Sequence, residues 1–328
     1  MKRNLRWDYC KKMNFYLHTL ISILVLVVLI LLVVFLRHKG LLKQENGTLF
    51  STLVMQITLP ALIFTALAHS TMKWYYLLFF LIMFSTEIVL LSVSWSIGRF
   101  LKLQRAQMGS FLLASTFGSS ALLGYALIAE LFPDNTAVLA EAAFVSELGV
   151  GLTFFTIGVM VAIYYGNSDQ EEITLLEGAL PFFRTPIFFS IILGILWSVL
   201  LLPTKGMIIT PLFDAVHLIS QANTFLVALT VGVLLEFSSL RDIIMIIMIT
   251  VILKLILSPL LIFVPIGFMD LNTWQQQVLI LEAAMPSAML SVVVANRYGC
   301  DARLAAKLVF VTLFASIATA PMMLKLLG

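Results

Sequence analysis

Apolar runs of about twenty residues recur along the whole chain, each closed by a short polar cluster. A helix of roughly 20 residues spans a hydrocarbon core of about 30 Å. The strands of a membrane barrel would instead alternate apolar and polar positions with period two, and these runs do not. They fall near 14–36, 48–68, 74–98, 107–131, 137–165, 181–202, 210–235, 242–268, 274–295 and 303–326. The pattern predicts an all-α integral membrane protein with about ten transmembrane helices.

Two polar stretches interrupt the pattern more strongly than the others. Residues 1–12 form a basic leader ahead of a second methionine, Met13. The first span, beginning at Asn14, is too long for a signal-peptide core and lacks a small-residue cleavage site. It reads as a retained helix. Residues 166–180 open with Gly166-Asn167-Ser168-Asp169-Gln170-Glu171-Glu172 and form a short linker after the fifth span. The chain thus divides into two five-helix halves, 13–165 and 181–328. An odd number of spans in each half requires the halves to be inverted relative to one another, as in many secondary transporters.

The fourth span of each half is itself interrupted. In the ninth run, Leu281-Glu282-Ala283-Ala284-Met285-Pro286-Ser287-Ala288-Met289-Leu290, Pro286 removes a donor and crowds the carbonyl one turn back. An unpaired carbonyl in hydrocarbon costs several kcal/mol, so the break must be covered by protein or line a wet cavity. Phe117-Gly118-Ser119-Ser120-Ala121-Leu122-Leu123-Gly124 occupies the matching place in the first half. Broken helices of this kind hold substrates near the midplane in transporters. Pro60, in Thr58-Leu59-Pro60-Ala61, predicts a further break in the second span. Thr58 there and Asn223 in the seventh span are polar groups that need partners, either another helix or a ligand.

Composition removes the soluble alternatives. The chain is 61% hydrophobic and 11% charged, against roughly 25% charged in soluble domains. Its net charge of +3 is therefore no nucleic-acid signal. Cys10 and Cys300 make no disulfide framework, the four histidines do not cluster, and no catalytic or cofactor motif stands out. We expect no enzyme, no metal site and no cofactor.

The placement of charge is more informative. Eleven basic residues fall in the odd-numbered loops, among them Arg37, Arg99, Arg105, Arg184, Arg241, Arg297 and Arg303, and three (Lys73, Lys205, Lys325) in the even loops and C-terminus. By the positive-inside rule the odd loops are cytoplasmic and both termini extracytoplasmic. The five basic residues of the leader oppose this, an inconsistency that disappears if translation starts at Met13. Four ionisable residues lie inside spans: Glu87, Glu147, Lys254 and Glu282. Such residues are functional candidates because burying them is expensive, and structural ion pairing is the competing explanation. Lys254 can neutralise a buried carboxylate or attract an anionic substrate, and Glu147 or Glu87 can carry a coupled proton.

Gly40-Leu41-Leu42, the run Ile57-Thr58-Leu59-Pro60-Ala61-Leu62-Ile63-Phe64, the segment from Pro286 to Tyr298-Gly299, and the last helix ending Ala318-Thr319-Ala320-Pro321 resemble the auxin efflux carrier family in its prokaryotic branch. The resemblance covers nearly the whole chain from Met13. It implies ten helices in two inverted five-helix repeats, a fold related to bile-acid and sodium/proton transporters, with broken helices 4 and 9 crossing at the substrate site. It also implies a scaffold of helices 1, 2, 6 and 7, against which helices 3–5 and 8–10 move, and a homodimer formed through that scaffold. One departure stands out. Family members commonly begin the helix 4 break with Asn-Thr/Ser and end it with Gly-x-Pro, whereas this chain has Ser119-Ser120 and Gly124-Tyr125-Ala126.

The sequence thus points to a carrier in the lipid bilayer of the cytoplasmic membrane. Its expected substrate is a small organic anion, plausibly a carboxylate, held by Ser119, Ser120, Pro286 and Ser287, with Thr58, Pro60 and Asn223 as further contacts. A passive channel or uniporter, and a sodium- or proton-coupled symporter, remain alternatives on the same fold.

Overall fold

The computed structural model describes residues 24–25, 27–69, 76–120, 124, 128, 138, 145–166, 183–235, 243–269 and 271–327. The basic leader, most of the polar linker and much of residues 121–144 lie outside the described residues. Among those described there is no strand, and the regular structure is helical.

The helices are α1 (Val27–His38), α2 (Asn46–His69), α3 (Tyr76–Phe100), α4 (Arg105–Thr116) and α5 (residues 145–166) in the first half. In the second half they are α6 (Pro186–Val199), α7 (Ile209–Leu234), α8 (Ile244–Ile266), a divided α9 (Thr273–Ala283 and Leu290–Tyr298) and α10 (Ala302–Leu327). Six of the described helices are long and apolar enough to cross a membrane: α2, α3, α5, α7, α8 and α10. Each half of α9 is too short to cross alone, because the helix stops in mid-span.

Proline acts in two different ways. Pro60 does not break α2, contrary to the sequence expectation. The helix widens into a π-turn over Val54–Thr58 and resumes at Leu59. Pro259 in α8 likewise follows a π-turn over Ile252–Leu257. In both, the carbonyl four residues before the proline lies inside the wide turn, which relieves the clash with the ring. Pro286 instead sits in extended backbone between the two halves of α9.

The helices sort into two packed groups. α2 packs mainly on α6 and α7, and α1 joins them through Gly232 of α7, where an added Cβ would lie 2.6 Å from Val33 Cβ. α3, α4, α5, α8, α9 and α10 pack chiefly on one another. Small residues let membrane helices approach closely, and both groups use them.

The ends carrying the basic loops gather on one side of the molecule. Arg37 Nη1 donates to Val233 O at 2.6 Å, Arg105 Nη2 to Tyr164 O at 2.6 Å, and Arg303 Nη2 to Gln44 Oε1 at 3.2 Å. Gly299, left-handed at φ 87°, ends α9 there, and a Cβ on it would lie 2.6 Å from Gly166 O. One end of the bundle therefore holds the first, third, fifth and ninth loop junctions together.

Candidate functional site

Where α4 stops at Thr116, its chain runs extended and meets the extended break of α9. Gly118 and Ser287 form an antiparallel bridge. Ser119 N donates to Pro286 O at 2.7 Å, and Ala288 N donates to Phe117 O at 2.9 Å. The two broken helices thus supply each other with the backbone partners that each break removed.

The remaining freed groups are also matched. Continued helix would have paired Ala114 O with Gly118 N; instead the Ser287 hydroxyl donates to that carbonyl. Ala283 O, which would have met Ser287 N, accepts from Lys254 Nζ at 3.0 Å. Ser287 N turns to Thr312 Oγ1 at 3.2 Å. A cation at a helix C-terminus is also favoured by the helix dipole. In a membrane interior each of these pairings avoids a cost of several kcal/mol.

Two faces of the crossing differ in chemistry. On one lies Lys254, held also by Ser258 Oγ at 3.3 Å and interacting electrostatically with Glu87 and Glu282, all three buried. A Cβ on Gly118 would lie 3.1 Å from Lys254 Nζ, and one on Gly124 would lie 2.5 Å from Glu282 Oε2. Both glycines are where the chain needs room for these charged side chains. Successive residues of extended backbone point to opposite faces, so Ser119, next to Gly118, points away from Lys254.

Ser119 lines a small cavity. The cavity lies on the seam between the two helix groups. Leu62 of α2 and Asn223 of α7 line it from one side; Ser119, Ser120, Ser146 and Phe154, with Ala288–Leu290 of the α9 break, line it from the other. The second half of α9 begins at Leu290, so its first N–H groups and positive dipole end are at the wall.

Three polar groups on this wall have no hydrogen-bond partner among the described residues: Ser119 Oγ, Ser146 Oγ and Asn223 Nδ2. Their residues are 5%, 1% and 1% exposed, so bulk water does not satisfy them either. A buried unsatisfied polar group costs about 1–3 kcal/mol. Thr58 Oγ1 donates to Asn223 Oδ1 at 2.9 Å, which leaves the amide NH₂ as the group of Asn223 without a partner among the described residues.

The structure therefore separates the residues that the sequence grouped together. Ser119, Ser120 and Asn223 are on the cavity wall, with Thr58 behind Asn223. Pro286 and Ser287 lie in the crossing but off the wall, and the Ser287 hydroxyl is occupied by Ala114 O. Pro60 is buried in α2 beside its π-turn and is not on the wall. Lys254, Glu87 and Glu282 occupy the other face. The Glu147 side chain lies outside the described residues. Its neighbour Ser146, which sequence reasoning missed, is on the wall with Val150 and Phe154, at the i, i+4, i+8 spacing of one helical stripe. Cys300 lies apart, near the basic-loop end; burial pushes its thiol up to about 12, so it stays protonated at neutral pH.

An apolar multi-helix bundle in which two broken helices cross beside a mainly apolar cavity with a few buried polar residues on its wall defines a membrane transporter. The chain belongs to the family described as membrane transport protein, whose model matches residues 18–324, and within it to the auxin efflux carrier type. An uncharacterized transporter of Methanocaldococcus jannaschii is 25% identical over 294 residues, covering 88% of this chain and 92% of that protein. One from Methanothermobacter thermautotrophicus is 26% identical over 308 residues, covering 92% and 96%. The uncharacterized transporter YfdV of Escherichia coli is 22% identical over 317 residues, covering 92% and 95%.

Proposed function

We propose that this chain is a secondary transporter of a small organic anion, a carboxylate, which it moves across the cytoplasmic membrane by alternating access. The observation that carries the reading is the set of three buried donors without partners among the described residues, carried by residues that line one cavity on the seam between two helix groups. Hydroxyl and amide donors, with the N-terminal end of the second half of α9, suit an acceptor-rich anionic group. The apolar remainder of the wall, including Leu62 and Phe154, suits a hydrocarbon portion.

In this reading ten membrane helices form two inverted five-helix repeats, with the basic-loop end in the cytoplasm and both termini outside. α1, α2, α6 and α7 are the scaffold, and the other group carries the substrate past it. Such movement needs a binding site at the boundary of the two groups, and the cavity's position supports that. Proton coupling would use Glu87 or Glu147. One Glu87 carboxylate oxygen has no hydrogen-bond partner among the described residues, so it has room for a proton.

Thermal unfolding of the purified protein against a panel of mono- and dicarboxylates tests the substrate class. An acid at 100 times its dissociation constant stabilises by about 2.7 kcal/mol, and Asn223→Ala should lose most of that. If no acid stabilises the wild-type protein, the anion reading is overturned. In reconstituted vesicles, counterflow of the stabilising acid identifies a carrier, and non-saturating flux without counterflow identifies a channel.

A further inference from the structure

We propose that Ser146 is a substrate-binding and specificity-determining residue, donating from α5 to the same substrate that Asn223 meets from α7. The inference rests on the transporter reading above and adds a second polar anchor, on the opposite side of the seam. Bound substrate then bridges the two helix groups.

Helical hydroxyls elsewhere in this molecule provide the comparison. Buried in a helix, a serine or threonine ordinarily bonds back to the carbonyl one turn earlier. On α5 itself, Thr153 Oγ1 donates to Gly149 O at 2.8 Å and Thr156 Oγ1 to Leu152 O at 2.6 Å. Ser115, Thr230 and Thr250 do the same on α4, α7 and α8. The carbonyls one turn before Ser146 lie outside the described residues. Its hydroxyl has no partner among the described residues, and its residue is as buried as Asn223. Ser94 and Thr116 also have hydroxyls without a partner among the described residues, but of the three only Ser146 lines the cavity.

The local backbone supports the assignment. Ser146 lies in a π-turn over Val145–Gly151, and a second π-turn, Phe154–Gly158, follows directly on the same helix. Wide turns of this kind are frequent at functional sites, and unlike those of α2 and α8 these two precede no proline. The α5 residues named on the cavity wall come from these two turns. Across the seam, Thr58 holds Asn223 by its Oδ1, and the NH₂ of that cavity-lining residue has no partner among the described residues. An acceptor-bearing group between them satisfies a hydroxyl and an amide that the protein leaves open, one on each helix group.

The test measures affinity and stability together, using the full chain in detergent and the acid that stabilises the wild-type protein most. Ser146→Ala is expected to weaken binding by about tenfold or more while leaving the ligand-free melting temperature unchanged or raised. The variant deletes an unsatisfied hydroxyl and no protein bond. Ser146→Thr, which restores a hydroxyl, should recover part of the affinity. Unchanged affinity in Ser146→Ala overturns the assignment while leaving the anion reading intact. So does weakened binding with a lowered melting temperature that Ser146→Thr does not rescue, since that is the mark of packing. If no acid stabilises the wild-type protein, the assignment and the anion reading fall together, before any variant is compared.

Discussion

The two faces of the crossing hold buried polar groups of different chemistry, charged on one and neutral on the other. Around Lys254 the groups serve the protein: its ammonium holds the carbonyl that the α9 break exposes, and it interacts with two buried carboxylates. On the cavity face Ser119, Ser146 and Asn223 Nδ2 have no protein partner among the described residues. The contrast teaches that charge buried in a membrane span need not mark where a ligand sits. Here the strongest electrostatics stabilise the break, and the weaker, neutral donors face the space a substrate would fill. A formal charge left unmatched in a low-dielectric interior is too costly to keep open, whereas a neutral donor left open costs about 1–3 kcal/mol.

Lys254→Met should break the comparison most forcefully. It uncaps Ala283 O and leaves Glu87 and Glu282 without their cation, and removing one partner of a buried charge set costs about 3–5 kcal/mol. Thermal or denaturant unfolding in detergent measures it. A variant as stable as wild type would show that the charged face is not structural.

A smaller effect sharpens the contrast between two serines in the same crossing. Ser287→Ala strands the Ala114 carbonyl and should cost about 1–3 kcal/mol of stability. Ser119→Ala should leave stability unchanged or raised, because its hydroxyl has no partner among the described residues. Equal losses at both positions would erase the distinction between occupied and open groups.

The smallest expected loss of stability is at Thr58. Thr58→Val removes the donor that fixes Asn223 Oδ1, so the amide is free to turn. A loss of about 1 kcal/mol in stability should accompany a several-fold weaker response to the stabilising acid. Unaltered ligand response would mean that Asn223 needs no orienting partner.

Much of this molecule is legible as sequence because hydrocarbon imposes a simple rule. Apolar runs of about twenty residues must be helices, and a helix carrying proline or glycine-serine in mid-run must have its freed backbone groups covered. That reasoning located both breaks, at Gly118 and at Pro286, and the residues Ser119, Ser120, Thr58 and Asn223 near the cavity. Tertiary structure alone decided which polar groups are used up. Ser119 and Ser287 look alike in sequence, yet one faces the cavity and the other pairs with Ala114 O, because adjacent residues of an extended segment point to opposite faces. Ser146 was hidden beside the charged Glu147, and only the path of α5 along the seam shows that its stripe meets the cavity. Pro60 and Pro286 also read alike, and the fold separated them. Neighbouring helices let α2 widen into a π-turn, whereas the crossing strand at Gly118 offered Pro286 a partner for its carbonyl. A sequence states which groups need partners; only the packed fold determines which have found one.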